Sequence, residues 1–156
     1  MSAQIKNAAH ANDRVLIIER AFAAPRDLVF KMWTVREHVS RWLAPRGFTI
    51  TQSDADVRPG GAWRSCMRSP EGVDHCVGGV YRDVVENERL VFTHAWDGDK
   101  GKPGHETVVT LTLEDYGGDT KLRLRQEVFD SVETRDGHRD GWNESLDKLG
   151  EHLAAL

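Results

Sequence analysis

The sequence has few of the features that would define a function outright. It carries 21 basic and 25 acidic side chains in 156 residues, so it lacks the basic excess with which proteins hold nucleic acid. No apolar run approaches the ~20 residues that a transmembrane helix needs. The first residues also lack the apolar core of a signal peptide. We therefore expect a cytoplasmic protein that neither binds nucleic acid nor inserts into a membrane.

Recognised catalytic motifs are also missing. The sequence contains no nucleophile elbow, no phosphate-binding glycine loop and no metalloprotease helix motif. Its glycine pairs at 60–61, 78–79 and 117–118 are typical of turns and bulges. The seven histidines do not have the close spacing of a local metal site. We expect no metal centre and no cofactor, and the sequence leaves any catalytic residues unknown.

Cysteine is scarce, since only Cys66 and Cys76 occur. The turn-like segment 69–72 lies between them and predicts a hairpin that sets the two cysteines opposite each other. A reducing compartment favours two free thiols over a disulfide, and the spacing is not that of a zinc knuckle. We therefore expect reduced cysteines, with a disulfide as the alternative.

The strongest pattern that is present lies near the C-terminus. Trp142, Leu146, Leu149 and Leu153 recur at intervals of four, three and four residues, which places them along one stripe of a helix. The remaining side chains of this segment are mostly polar. Since a largely β domain usually packs such a stripe against its sheet, a ligand site between helix and sheet is expected.

Two glycines lie in or near the first half of the same helix. Gly137 and Gly141 each cost about 1 kcal/mol against alanine in a helix interior. Their presence indicates either a close approach to a strand or a helix that borders a cavity.

The rest of the sequence predicts a mostly β domain. Residues 1–12 are expected to form a loose arm, and 13–156 a single domain. Apolar patterns predict a strand over 13–22, then two short helices, then six strands between 48 and 128. Leu122, Leu124, Gln126 and Val128 share one face of the last strand. Alternation in the hairpin at 62–85 gives an inward set: Trp63, Ser65, Met67, His75, Val77 and Gly79.

Five short motifs in order resemble a known family, the activator of heat-shock-protein-90 ATPase homologues, within the START-like (SRPBCC, Bet v 1-like) superfamily. The resemblance covers about 14–156. It implies an α+β helix-grip fold, in which a curved antiparallel β-sheet wraps around a long C-terminal α-helix, with two short helices after the first strand and a hydrophobic cavity. The motifs are Ala24-Pro25 with Val29, Phe30 and Trp33; Arg58-Pro59-Gly60-Gly61-Ala62-Trp63; Gly79-Val80-Tyr81; Glu88-Arg89-Leu90-Val91-Phe92; and Gly141-Trp142 with Leu146 and Leu149.

The resemblance implies a function only in outline. Superfamily members bind lipids, sterols or polyketides, and some are cyclases or hydrolases. We expect a small hydrophobic ligand, aromatic or polyketide-like, with a cyclase or hydrolase enzyme and a protein-interaction or chaperone-regulating module as alternatives. The eukaryotic activator grips the chaperone with a separate N-terminal domain, for which this sequence has no room. A chaperone partner is therefore doubtful. A homodimer through an exposed strand edge stays open.

Three histidines are candidates for polar groups in the cavity. His75 shares a strand face with Val77, His94 alternates with aromatic residues, and His138 lies one helical turn before Trp142. An imidazole there can bind a ligand hydroxyl or carbonyl, or act as acid or base; a hydrogen-bonded core histidine is the alternative. Glu106 and Gln126 are expected to be exposed or structural. The predicted ligand-binding set is Phe30, Trp33, Trp63, Met67, His75, Val77, His94, Trp96, Val109, His138, Trp142 and Leu146.

Overall fold

The computed structural model describes residues 14–98 and 101–156, so the arm predicted for 1–12 lies outside the described residues. The predicted order of one strand, two helices, six strands and a long helix is confirmed. The elements are β1 (Leu16–Phe22), α1 (Arg26–Thr34), α2 (Arg36–Trp42), β2 (Thr49–Ala55), β3 (Ala62–Arg68), β4 (Asp74–Val85), β5 (Arg89–Trp96), β6 (Thr107–Tyr116), β7 (Asp119–Glu127) and α3 (Val132–Ala154).

The seven strands form one antiparallel sheet in the order β1-β7-β6-β5-β4-β3-β2. The first strand of the chain therefore pairs with the last, with Leu16 opposite Gln126. Because β1 and β2 lie at opposite edges, α1 and α2 carry the chain from one edge of the sheet to the other. Pro25 precedes the first turn of α1, where its missing N–H costs nothing.

The long helix α3 packs its apolar stripe against the sheet, as the spacing predicted. Trp142, Leu146 and Leu149 are buried, and Leu153 is partly buried against the same core. Burying each such side chain contributes about 1.5–3 kcal/mol. The Ser131 side chain caps the helix by accepting a hydrogen bond from the backbone N–H of Thr134. No helix in the described ranges is long and apolar enough to span a membrane.

The inner face of β6 and β7 supplies the densest part of the core. Val109, Leu111, Leu122 and Leu124 have no measurable exposure, whereas Arg123 between the last two is exposed. This alternation is what one covered sheet face requires. Predicted strand ends differ from the observed ones by up to three residues, because terminal residues have fewer ladder partners.

Val128 does not continue the inner face of β7, so the prediction for this residue is wrong. The strand ends at Glu127, and Val128 is 55% exposed with φ 70°. The chain leaves the sheet here to begin α3. A positive φ is unfavourable for a β-branched side chain, so the junction between sheet and helix holds local strain.

The expectation of two free cysteines is also wrong, since Cys66 and Cys76 form a disulfide. The predicted hairpin places them directly opposite each other in the β3–β4 register, with their Cα atoms 4.0 Å apart. The expectation of free thiols depended only on a reducing compartment. The pairing of β3 with β4 instead brings the two sulfur atoms close enough to bond.

We expect Val128→Gly to raise the free energy of unfolding by about 1 kcal/mol, because glycine adopts a positive φ without a Cβ clash. Urea unfolding followed by circular dichroism measures the change. Val80→Gly is the matched control, since Val80 is also exposed but lies within β4. There the same substitution should lower the free energy of unfolding by about 1 kcal/mol. Equal destabilisation by both variants would contradict strain at Val128.

Candidate functional site

A cavity of about 740 Å³ lies between one half of the sheet and the helices. Its walls come from β2–β5, α1, α2 and α3, whereas β1, β6 and β7 contribute no lining residue. The sheet therefore has a solid half, where β1, β6 and β7 pack into the core, and a hollow half over β2–β5. All five tryptophans of the chain line the hollow half.

The structure brings most of the predicted ligand-binding residues to this cavity. Phe30, Val109 and Leu146 instead lie in the hydrophobic core and are not part of the cavity wall. Val109 belongs to β6, which is part of the solid half, and Phe30 and Leu146 pack in the same core. The predicted residues that line the cavity are Trp33, Trp63, Met67, His75, Val77, His94, Trp96, His138 and Trp142.

The prediction of site residues missed several parts of the wall. Val39, Trp42 and Leu43 come from α2 and its end, and a helix of seven residues is too short for its pattern to show which side faces a cavity. Ser145 lies three residues after Trp142, so the stripe of α3 carried a signal for it. Ser65 was already on the predicted inner face of the hairpin.

The two glycines of α3 border the cavity. Gly137 and Gly141 are both lining residues, and a Cβ built on either would meet no heavy atom within 4 Å. Of the two interpretations of these glycines, the structure favours a helix that borders open space. A close approach to a strand does not occur at either position.

A chain of buried hydrogen bonds links α3 to the sheet and fixes one wall of the cavity. The indole N–H of Trp142 donates to Gln126 Oε1 at 2.8 Å. The side-chain amide of Gln126 donates to Thr107 Oγ1 at 2.8 Å, and Thr107 donates to the carbonyl of His94 at 3.0 Å. Gln126 is fully buried, so its role is structural, one of the two alternatives left by the sequence.

Trp63 is held on the opposite side by a close approach of two strands. Its indole N–H donates to the carbonyl of Thr93 at 3.0 Å. A Cβ at Gly79 would lie 1.9 Å from this carbonyl oxygen, so only glycine allows β4 to approach β5 so closely. Gly79 thereby helps to fix Trp63 in the cavity wall. This structural role agrees with the prediction that the glycine pair at 78–79 belongs to a turn or bulge and not to a phosphate-binding loop.

His94 is a buried, neutral polar group among aromatic rings. Its ring centroid lies 5.8 Å from those of Trp63 and Trp96 and 6.2 Å from that of Trp142. Burial, together with the nearby His138, lowers the pKa of His94 from 6.5 to about 3. At neutral pH the uncharged ring has one nitrogen that can donate a hydrogen bond to a ligand and one that can accept a hydrogen bond from it.

His138 and His75 differ from His94 in their surroundings. Trp96 donates its indole N–H to His138 Nε2 at 3.2 Å, and His138 Nδ1 lies 2.8 Å from the carbonyl of Thr134. Because an indole N–H only donates, Nε2 accepts and Nδ1 carries the hydrogen. Both nitrogens are therefore engaged. His75 is exposed at the mouth, with its ring 6.0 Å from that of Phe48.

Charged side chains of the cavity wall are confined to the rim. Arg36 and Asp54 are the charged lining residues, and their side chains, 71% and 59% exposed, lie 3.9 Å apart. Glu106, a weaker polar candidate, is exposed and lies 3.9 Å from Arg82. Within residues 14–98 and 101–156, no group of three or more histidine, cysteine or acidic side chains is arranged to hold a metal ion.

Comparison with known proteins places the chain in a family. The profile described as activator of Hsp90 ATPase homolog 1-like protein matches residues 23–154. The chain belongs to this family. The AHSA1 protein from Silicibacter pomeroyi is 30% identical, with 90% of this chain and 98% of that chain covered and a TM-score of 0.84. Among functionally curated proteins, none matches the chain.

Two further proteins of known structure share the helix-grip architecture. A protein from Rhodobacter sphaeroides is 27% identical, with 92% and 95% of the chains covered and a TM-score of 0.79. Protein CV1439 from Chromobacterium violaceum is 25% identical, with 88% and 95% covered and a TM-score of 0.78. The family and the fold implied by the sequence motifs are thus confirmed. The family's name describes an activator of a chaperone ATPase and names no ligand.

The buried bond between Trp142 and Gln126 predicts strong coupling between these two residues. We expect Gln126→Leu to lower the free energy of unfolding by about 1–3 kcal/mol, because it leaves a buried indole N–H unpaired. Trp142→Phe should also destabilise. The double variant has neither the indole N–H of Trp142 nor the side-chain oxygen of Gln126 that accepts from it. Its loss in free energy of unfolding should therefore be at least about 1 kcal/mol smaller than the sum of the losses in the two single variants. Denaturant unfolding of all four proteins measures the cycle, and additive losses would contradict the coupling.

The depressed pKa of His94 predicts a specific dependence of stability on pH. Between pH 6.5 and about 3, the unfolded chain binds a proton on His94 that the folded protein does not bind. As the pH is lowered below 6.5, the free energy of unfolding of the wild type should therefore decrease, relative to that of His94→Gln, by up to about 1.4 kcal/mol per pH unit. Urea unfolding at pH 7.5, 6.5, 5.5 and 4.5 measures this difference. A difference that stays constant over this range would contradict a neutral, buried His94.

Proposed function

We propose that the protein binds a small, neutral and mostly apolar ligand in the hollow half of the helix grip. The observation that carries the proposal is the cavity of about 740 Å³ whose wall contains all five tryptophans. Small-molecule sites are typically cavities of this size, lined by apolar and aromatic side chains with a few placed polar groups. Ser65, Ser145 and His94 are such polar groups here.

The distribution of charge supports a neutral ligand. Arg36 and Asp54 lie at the exposed rim and are near each other, so the part of the inner wall that the structure describes offers no opposite charge to an ion. Burying an unpaired charge is far more costly than burying a polar group that forms a hydrogen bond. A charged group on the ligand would therefore have to remain at the mouth.

The arrangement of rings supports a flat ligand. Trp33 and Trp142 lie 5.9 Å apart at 33°, and Trp63 lies 5.5 Å from Phe92 and 5.8 Å from His94. All these side chains line the cavity. Aromatic rings favour offset-stacked or edge-to-face contacts with a further ring, so aromatic and polyketide-like compounds fit this wall better than branched aliphatic ones.

The same geometry gives less support to a cyclase or hydrolase. Acid–base catalysis near neutral pH needs a group whose pKa lies close to that pH, whereas the pKa of His94 is about 3. Both ring nitrogens of His138 are engaged by protein groups. The lining carboxylate, Asp54, and the remaining lining histidine, His75, are exposed at the rim rather than placed in the interior. Binding without turnover is therefore the proposed function.

Filling the cavity tests this proposal. We expect Ser145→Phe to weaken the binding of the neutral dye Nile red at least about tenfold, because the new ring occupies the cavity, while filling that empty space keeps or raises the melting temperature. Fluorescence titration gives the dissociation constant, and thermal unfolding gives the melting temperature.

The control variant is Ser40→Phe, because Ser40 is exposed on α2 and does not line the cavity. It adds the same ring to the surface and should leave the affinity unchanged. The proposal fails if Nile red does not bind the wild type saturably, or if both variants bind it as tightly as the wild type. Turnover of bound aromatic esters or polyketides would instead support the enzyme alternative.

A further inference from the structure

Three buried serines of the cavity wall have hydroxyl groups without a protein partner. Ser53, Ser65 and Ser145 are 7%, 3% and 4% exposed, and all three line the cavity. Within residues 14–98 and 101–156, their side chains form no hydrogen bond. Most buried polar side-chain atoms have a partner, so these three hydroxyl groups need an explanation.

The hydroxyl oxygens of these serines are open to the cavity. Among the described residues, one buried side-chain nitrogen or oxygen is both unpartnered and closed off by the surrounding protein, and it belongs to Trp33. Since the serine oxygens also have no partner, each of them keeps some accessible surface. The three side chains lie in the cavity wall, so a ligand in the cavity can bond to them.

Two of the serines lie side by side on the sheet. Trp63, Ser65 and Met67 alternate along β3 and line the cavity, whereas Cys66 does not. Ser53 on β2 is directly opposite Ser65 in the register, so both side chains leave the same face of the sheet. Opposite residues of an antiparallel pair have Cβ atoms about 4.5–5.5 Å apart. One ligand oxygen can therefore contact both hydroxyl groups.

Apolar side chains surround this pair of hydroxyl groups. Trp63 and Met67 flank Ser65 along β3, and Val77 lies opposite Ser65 on β4. The indole N–H of Trp63 already donates to the carbonyl of Thr93. The pair is therefore a small polar site within an apolar and aromatic part of the wall.

We propose that the hydroxyl groups of Ser53 and Ser65 together bind a carbonyl oxygen of the ligand. A carbonyl oxygen has two lone pairs and can accept a hydrogen bond from each serine. This inference rests on the proposed function and adds the chemical class of the ligand: a flat apolar compound with a carbonyl group at one end, such as an aromatic ketone or quinone.

The surroundings of the pair favour a carbonyl over other acceptors. A carboxylate would place its negative charge near Asp54, which is the next residue of β2, while Arg36 is 71% exposed and already near Asp54. A ligand hydroxyl would add a third hydrogen to a site whose two hydrogens already lack acceptors. A carbonyl supplies acceptors and adds no hydrogen.

A matched pair of probes tests the proposal. 2-Acetylnaphthalene and 2-ethylnaphthalene have the same ring system and similar size, but only the ketone has an acceptor. Equilibrium dialysis gives the dissociation constant of each probe for the wild type, for Ser53→Ala, for Ser65→Ala and for the double variant. The quantity compared is the ratio of the two dissociation constants, because it removes the difference in hydrophobicity between the probes.

We expect the double variant to bind the ketone about tenfold more weakly, relative to the hydrocarbon, than the wild type does, because both donors are lost. Each single variant should change the ratio about threefold. The affinity for the hydrocarbon should change little. The melting temperature of the unliganded double variant should not fall, because the substitutions remove hydroxyl groups that have no partner.

Ser145→Ala is the control variant. Ser145 is also a buried serine of the cavity wall, but it lies on α3 and not beside the pair. The same substitution there should leave the ratio of the two dissociation constants unchanged. The wild type should also bind the alcohol formed by reducing the ketone more weakly than the ketone itself.

Each other result overturns the inference. If the ratio is the same in the wild type and the double variant, or if Ser145→Ala changes it as much, the pair does not recognise a carbonyl although the cavity still binds apolar compounds. Tighter binding of the alcohol than of the ketone would replace the carbonyl by a hydroxyl. If the wild type binds none of the probes saturably, the proposed function fails together with the inference.

Discussion

The packing of α3 against the solid half of the sheet is the interaction on which the rest of the structure depends. Leu146 and Leu149 are completely buried there, and hydrophobic burial is the dominant favourable term in folding. The hydrogen bond from Trp142 to Gln126 then fixes the height and rotation of the helix over β7. Since an apolar stripe could slide along an apolar face, this buried polar contact gives the helix a single position.

The cavity follows from the same contact. With α3 held by β6, β7 and β1, the other half of the sheet has no helix stripe left to fill its concave face. Tryptophans bridge part of that space with their large rings, while serines and Gly137 and Gly141 leave the remainder open. Fully buried aliphatic residues such as Leu111 and Leu124 thus fill one half, whereas all five tryptophans line the cavity of the other. A protein selected for stability alone would be expected to fill the hollow half as well.

The spacing of residues within single helices and strands was enough to predict much of the fold. The period of α3, the inward set of the β3–β4 hairpin and the order of elements all follow from local spacing, because side-chain direction repeats every 3.6 residues in a helix and every two in a strand. Such patterns identified Trp63, His94 and Trp142 as inward-facing. They could not separate core from cavity, so Phe30, Val109 and Leu146 were assigned to the site although they pack in the core.

The sequence by itself determined the order and approximate position of the elements, the inward face of most of them and the family that the motifs indicate. The tertiary structure decided which inward residues touch one another. It placed Val128 outside the strand, joined Cys66 to Cys76 and left the N–H of Trp33 without an acceptor among the described residues. The physical reason is that hydrogen-bond partners, burial and pKa shifts depend on distances between elements far apart in the chain, and periodicity within one element contains no information about those distances.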